Sequence, residues 1–275
     1  MPTTPWFQLA QFNIGRARSP LDDPRMAEFV GQIEGVNRLA ESSPGFVWRL
    51  VGEDGKSSSY VRTYEDPALL VNMSVWESID ALRAFAYQGE HLRVMRRRHE
   101  WFDPLPAPWQ VLWWVPAGHR PTAGEGRRRL EFLVAHGPSP VAFGFGAPEV
   151  PPPAPEEPPG VSTAVSLSGR RFVLEANAEG GDCRPGLAFH YEQVGGRVWA
   201  RYEGGGVRFG SLAARITGEH ALDARYQHAT DAGVVRSGRC DTRVDRLVDG
   251  RLRLREEWRW LSGAEGSGAS TLVEA

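Results

Sequence analysis

Two periodicities divide this chain. Up to about residue 146, strand-like apolar runs alternate with segments of helical period; beyond residue 160 only the period of two remains. Phe7–Ile14 (FQLAQFNI) reads as a strand. A helix follows, with an aspartate at its N-cap, Pro24 at its first position, and Met26, Phe29, Val30, Ile33, Val36 and Leu39 on one face; Pro44-Gly45 closes it. Phe46–Val51 is a second strand, 52–59 (GEDGKSSS) a turn, and Tyr60–Tyr64 is predicted to pair back as a hairpin. Leu69–Trp76 (LLVNMSVW) is a strong strand. Ser78 caps a helix to about Tyr87, and a second runs from about Glu90 to Trp101. Trp109–Val115 is another strand, and Thr122 with Glu125 forms a capping box that opens a last helix to about His136.

The second half carries eight alternating runs, at 171–178, 187–194, 197–204, 207–217, 221–230, 234–247, 251–261 and 268–274, separated by glycine-rich breaks. Hairpin-linked strands of this kind predict an up-and-down antiparallel sheet, and closing it into a barrel removes its exposed edges. Between the halves, residues 147–160 read APEVPPPAPEEPPG, whose seven prolines favour extended polyproline II over helix or sheet. Three parts result: an α+β domain at 1–146, a semi-rigid linker at 147–160 and an all-β barrel at 161–275. A PxxP ligand for another domain is the alternative reading of the linker.

Composition narrows the function classes. Lys and Arg total 32 against 34 Asp and Glu, a net charge of −2. A near balance argues against nucleic acid as partner, since phosphate binding calls for a basic excess. The N-terminus has neither a basic nor an apolar leader region, and no run approaches the roughly 20 apolar residues of a membrane span. A cytoplasmic protein without a membrane partner is therefore expected. Cys183 and Cys240 stand in no CxxC or HExxH context, so no metal is implied, and no glycine-rich nucleotide motif occurs. No motif implies a cofactor; haem stays open.

The stretches LAQFNIGRARSPLDDPRMAEFV, SPGFVWRL, LLVNMSVWESIDALRAF, HLRVMRRRHEWF and LWWVPAGHRPT together resemble the bacterial domain of unknown function 3291, over about residues 6–146. The resemblance implies a ferredoxin-like βαββαβ domain of the dimeric α+β barrel superfamily, whose sheet pairs with a second copy. Relatives there include cofactor-free and haem-using monooxygenases, lactone isomerases and decarboxylases. FHYEQVGGRVWARYEGGGVRFGSL, YQHATDAGVVRSGRC and DGRLRLREEWRWLSG are similar to small bacterial proteins labelled acetylglutamate synthases. An acetyl-CoA transferase grips pyrophosphate at a turn that opens a helix. GGGVRFGSL lies between two expected strands, so no residue carries that label over.

Candidate site residues follow from parity. On Leu69–Trp76, the apolar set Val71, Met73 and Val75 is expected to face the helices. The other set, Asn72, Ser74 and Trp76, would line the barrel with Asn13 and Arg49. A solvent-facing or internally bonded polar row is the plain alternative. In the superfamily an acid–base histidine often comes from a helix at the cavity rim, which points to His91 first and His119 second. Trp101, Trp109, Trp113 and Trp114 read as core, dimer contact or cavity wall, in that order, and Trp101 joins the candidate site residues. In the second domain, Leu252, Leu254, Glu256, Trp258 and Trp260 should point inward. Glu256 then needs a partner, for which Arg239 is the candidate. Tyr191, Tyr226 and His228 complete a ligand cup, with a structural ion pair as the rival reading. The functional expectation is a homodimeric oxygenase or isomerase that uses no nucleotide cofactor, acting on a small hydrophobic organic ligand. The rival is a two-module binding protein without turnover.

Overall fold

The computed structural model describes residues 6–52, 55, 57–87, 89–106, 108–152, 165–263 and 265–275. The chain divides into two compact units, Met1–Val150 and Pro151–Ala275. Most of the proline-rich segment, from residue 153 on, lies outside the described residues. Among the described residues no helix is long and apolar enough to cross a membrane.

The first unit is built from β1 (Phe7–Ala17), α1 (Ala27–Glu41), β2 (Phe46–Arg49), β3 (Leu69–Trp76), α2 (Ile79–Ala86), α3 (Gly89–Arg96), the short β4 (Phe102–Asp103), β5 (Gln110–Pro116) and α4 (Ala123–His136). The sheet runs β2-β3-β1, with β5 and β4 both on the far edge of β1, all antiparallel. That is the ferredoxin-like strand order. Asp23 caps the turn at Pro24–Met26 that leads into α1, its carboxylate accepting from the Arg25 amide at 2.9 Å. Ser78 and Thr122 cap α2 and α4 in the same way. The expected hairpin at Tyr60–Tyr64 does not form. The chain folds back earlier, at an isolated antiparallel bridge between Val51 and Ser57, and Ser58–Tyr60 then make a single 3-10 turn. The helix expected to reach Trp101 stops at Arg96, because the chain tightens into a 3-10 turn to start β4.

A helix covers the apolar face of the sheet, as expected, whereas the polar face meets helices as well and is not left for a barrel interior. The apolar set Val71, Met73 and Val75, together with Phe12 and Trp113, is buried. This is the face that α4 covers, with Gly126 against the Phe12 ring and Glu125 bonded to Trp113. A second copy is therefore not needed to bury it. The polar set faces α1, α2 and α3: Trp76 stacks on Phe85, whose ring packs against His91. The apolar stripe of α1 is only half buried, and of its helical residues Ala40 alone is fully covered. The stripe borders a cavity rather than a packed core.

The second unit is a closed eight-stranded barrel. Its strands are β6 (Arg171–Asn177), β7 (Ala188–Val194), β8 (Arg197–Gly204), β9 (Val207–Gly218), β10 (Ala221–Thr230), β11 (Val235–Arg246), β12 (Leu252–Ser262) and β13 (Ser267–Glu274). Each pairs antiparallel with the next and β13 returns to β6, an up-and-down meander. Phe172, Tyr191, Leu212, Leu254 and Leu272 belong to its core. Gly238 makes room for the Tyr226 ring: a Cβ there would stand 2.3 Å from the ring.

Candidate small-molecule sites

A cavity of about 440 Å³ lies between the polar face of the first sheet and helices α1 and α3. Its apolar wall comes from Phe29, Ile33, Val36, Val94, Met95 and Trp109. Its polar wall comes from Asn13 and Asn72 on the sheet, Ser57–Ser59, Gln32 and Asn37, and His91, Arg98 and His99 near the rim. Three of the residues singled out from sequence, Asn13, Asn72 and His91, thus meet at one cavity.

His91 sits in the first turn of α3, its ring against Phe85 with centroids 4.5 Å apart. Its Nδ1 stands 3.0 Å from the Ala86 carbonyl, an acceptor only. The contact fixes the proton on Nδ1 and leaves Nε2 as the basic nitrogen. Burial lowers the ring's pKa against the opposing pull of that carbonyl, which favours the neutral form at pH 7.

Ser74 and Trp76 stand behind this wall rather than in it. Trp76 Nε1 donates to Ser74 Oγ at 2.9 Å, and Ser74 bonds Gln11 Oε1 at 3.0 Å. Other expected site residues lie elsewhere. Arg49 turns away from the cavity to Glu41, 2.7 Å distant, because the acidic end of α1 passes over β2. Trp101 is core, packed on Phe29 beneath the Arg97 guanidinium. His119 is on the opposite face of the sheet, with Nε2 2.9 Å from Glu125 Oε2. Glu125 also receives Trp113 Nε1 at 3.1 Å and lies 3.8 Å from Arg129. Burial pushes this carboxyl up, but His119, Arg129 and Trp113 outweigh it and hold the pKa at about 2. The two candidate histidines therefore do not converge. The cavity residues that sequence reading missed, Gln32, Asn37 and Ser58, sit on α1 or in a turn, where nothing distinguishes them from surface polar positions; Trp109, read as core or dimer contact before cavity wall, also lines it.

The barrel encloses a smaller space of about 40 Å³, lined by Tyr202, Tyr226, His228, Cys240, Glu256, Trp258, Trp260 and Ser270. The loop after β6 adds Asp182 and Cys183. Asp182 Oδ2 accepts from His228 Nε2 at 3.1 Å and from Arg236 Nε at 2.6 Å, while Tyr202 meets His228 Nδ1 at 3.1 Å. Burial raises the Asp182 pKa, but His228 and Arg236 outweigh it and hold the carboxyl ionised. The loop is thus pinned by charge-assisted bonds.

Glu256 points inward as expected and is 7% exposed. Arg239 is not its partner. Arg239 faces outward and pairs with Asp241 at 3.0 Å, since the inward residues of β11 are Gly238, Cys240 and Thr242. Glu256 Oε2 receives Ser270 Oγ at 2.7 Å, and its Oε1 is buried with no partner among the described residues. Burial pushes the carboxyl up to about 7, opposed only by the serine bond. Tyr191 is core, packed edge-on against Phe172 rather than in the cup. Cys183 and Cys240 are free thiols, and burial pushes Cys183 up to about 12. Such thiols stay protonated and unreactive. Gly204–Gly206 turn β8 into β9 with no helix following, so no pyrophosphate grip exists there.

Residues 8–158 match the family described as Domain of unknown function (DUF3291), and residues 165–275 match the family described as Avidin-like protein. No curated protein matches the chain. Among solved structures, a mutant of SnoaB, a cofactor-independent oxygenase from Streptomyces nogalater, is similar at 17% identity. That likeness covers 41% of this chain and 95% of the other, with a TM-score of 0.28. Apo shwanavidin is similar at 8% identity over 42% of this chain and 100% of its own, with a TM-score of 0.31.

Proposed function

We propose that this chain, which belongs to the family described as Domain of unknown function (DUF3291), acts on a small, largely apolar organic molecule in its first cavity, with His91 as proton acceptor. The observation that carries the reading is the fixed tautomer of His91. A ring whose Nδ1 is held by the Ala86 carbonyl offers Nε2 as a base, and it borders a cavity with an apolar wall. Proton abstraction is the step such a site supports. Returning the proton to a different atom makes an isomerase. Capture of the carbanion by dioxygen as co-substrate makes an oxygenase without a nucleotide cofactor.

A second, non-catalytic reading belongs to the barrel. There the unpartnered Glu256 oxygen favours binding of a donor group rather than turnover. Homodimerisation through the first unit is part of the proposal, and it would use a surface other than the one α4 covers. Light scattering of the full chain reads it directly.

The catalytic reading is tested by solvent-deuterium exchange into 1-tetralone, a bicyclic enolisable ketone, followed by NMR. The full chain should accelerate exchange, and His91→Ala should lose about 100-fold or more of that acceleration. Equal exchange with both proteins would remove His91 from the chemistry.

A further inference from the structure

Behind the first cavity, four side chains form a hydrogen-bonded series whose direction can be worked out atom by atom. Trp76 Nε1 is 2.9 Å from Ser74 Oγ, Ser74 Oγ is 3.0 Å from Gln11 Oε1, and Gln11 Nε2 is 2.6 Å from Asn13 Oδ1. An indole N–H can only donate. Ser74 Oγ therefore accepts from Trp76, and its one proton needs an acceptor of its own. Ser74 and Gln11 are both buried, and Gln11 Oε1 is the acceptor within reach. With Gln11 turned the other way, the Ser74 proton would be stranded in a buried site, at the cost of an unmade hydrogen bond. Gln11 thus gives its oxygen to Ser74 and its NH2 to Asn13. Asn13 must accept with Oδ1, which leaves its own NH2 for the cavity.

Asn72 stands directly opposite Asn13 in the β1–β3 register and lines the same cavity. In the orientation that sets its Oδ1 toward Ser58 Oγ, 3.5 Å away, its NH2 is left for the cavity as well. The cavity face of the sheet is therefore a pair of oriented donors without an acceptor. Around them, Asp103 is the single carboxylate of the wall among the described residues, and Arg18 engages it at 3.1 Å. Arg98 lies over the Trp109 ring at 5.0 Å and has no carboxylate partner among the described residues. Among the described residues this wall therefore holds no unpaired carboxylate for a ligand cation.

Given that the cavity takes a small organic molecule, as read above, we propose that Asn13 with Asn72 binds a ligand oxygen. That oxygen is a ketone carbonyl and, once His91 has acted, the enolate oxygen it becomes. The ligand class is then enolisable ketones rather than hydrocarbons or amines. The step balances within the site. The α-C–H bond breaks, its proton goes to His91 Nε2, and the electron pair moves through the new C=C bond onto oxygen. The carboxamide N–H groups receive that oxygen more strongly as an anion than as a carbonyl. Gln11, Ser74 and Trp76 are positioning residues, which hold Asn13 in its donor orientation.

The test compares 1-tetralone with tetralin, the same skeleton without the carbonyl, by calorimetric titration of the full chain. The wild type should bind tetralone roughly tenfold more tightly, the worth of one well-made neutral hydrogen bond. Asn13→Ala should erase that preference and keep the tetralin affinity, which doubles as the check that the cavity is intact. Ser74→Ala should narrow the preference without touching any ligand atom, because it frees Gln11 to turn. Equal wild-type affinity for the two probes overturns the inference, as does a preference that survives in Asn13→Ala. Both results leave the His91 reading standing, since deuterium exchange reads that separately. Binding of neither probe removes the ligand cavity itself, and the inference with it.

Discussion

At the residue scale, Glu256 shows how one unmet bond sets a pH dependence. Its folded pKa of about 7 lies above the ordinary 4.5, so between these values the folded barrel holds a proton that the unfolded chain has released. The stability it contributes is full below about pH 4.5 and is lost as pH rises through about 7. The loss is on the order of 3 kcal/mol. The full chain's barrel transition should therefore fall between about pH 5 and pH 8, and Glu256→Gln should flatten the fall. The difference between the two proteins isolates this group from Asp182, whose depressed pKa acts in the opposite sense. Identical pH profiles would show Glu256 ionised and satisfied. Arg239→Ala is the companion measurement. Among the described residues its 32%-exposed side chain pairs with Asp241 alone, so the loss should stay at or below about 1 kcal/mol. Glu256 was legible as inward from Leu254 and Trp258 on either side. Its supposed partner was misread because β11 fills its inward row with Gly238, Cys240 and Thr242, too weakly apolar to announce a core face. The charges on Arg239, Asp241 and Arg243 mark the outer face, and the register shift beside Gly238 adds to the ambiguity.

At the scale of elements, the helix that decides the first unit is α4. Its approach to the sheet is set at Gly126, where an added Cβ would stand 2.5, 2.7 and 3.0 Å from Cδ2, Cγ and Cβ of Phe12. Rotating the ring cannot relieve contacts that include Cγ and Cβ, so helix and strand would have to separate. Gly126→Ala should cost about 1–3 kcal/mol in unfolding free energy by overpacking. Phe12→Ala alone should cost roughly 3–5 kcal/mol, and Gly126→Ala should cost less in that background, because the ring it strikes is gone. Additive costs in a denaturant double-mutant cycle would mean that α4 does not rest on Phe12. The helix itself was legible in its Thr122 and Glu125 capping box, and so was the apolar row of Leu69–Trp76. Which helix covers which face was not. An apolar row says that a helix layer must bury it, and α4 serves as well as α1 to α3. The stripe of α1 was ambiguous for a related reason, since Phe29, Ile33 and Val36 would look the same over a core or over a cavity.

At the scale of the molecule, each unit closes its own core. The first buries Phe12, Met73, Trp76 and Trp113 completely, and the second does the same with Phe172, Val198, Leu252 and Leu254. The eight alternating runs foretold the barrel because every strand pairs with its sequence neighbour, so local order carries the whole topology. The first sheet is harder to read, since β1 lies between β3 and β5, distant in sequence on both sides. Two closed cores joined through a proline-rich stretch should unfold as two cooperative units. We therefore expect that Gly126→Ala lowers one calorimetric transition and Glu256→Gln alters the pH response of the other, each leaving its neighbour in place. Elastase or thermolysin should cut first within 147–160, a stretch that holds no Lys or Arg for trypsin. The fragments should keep the melting midpoints they show in the intact chain. A single transition that both substitutions move together, or early cleavage inside either core, would make the two halves one folding unit and leave the proline-rich stretch as a loop within it.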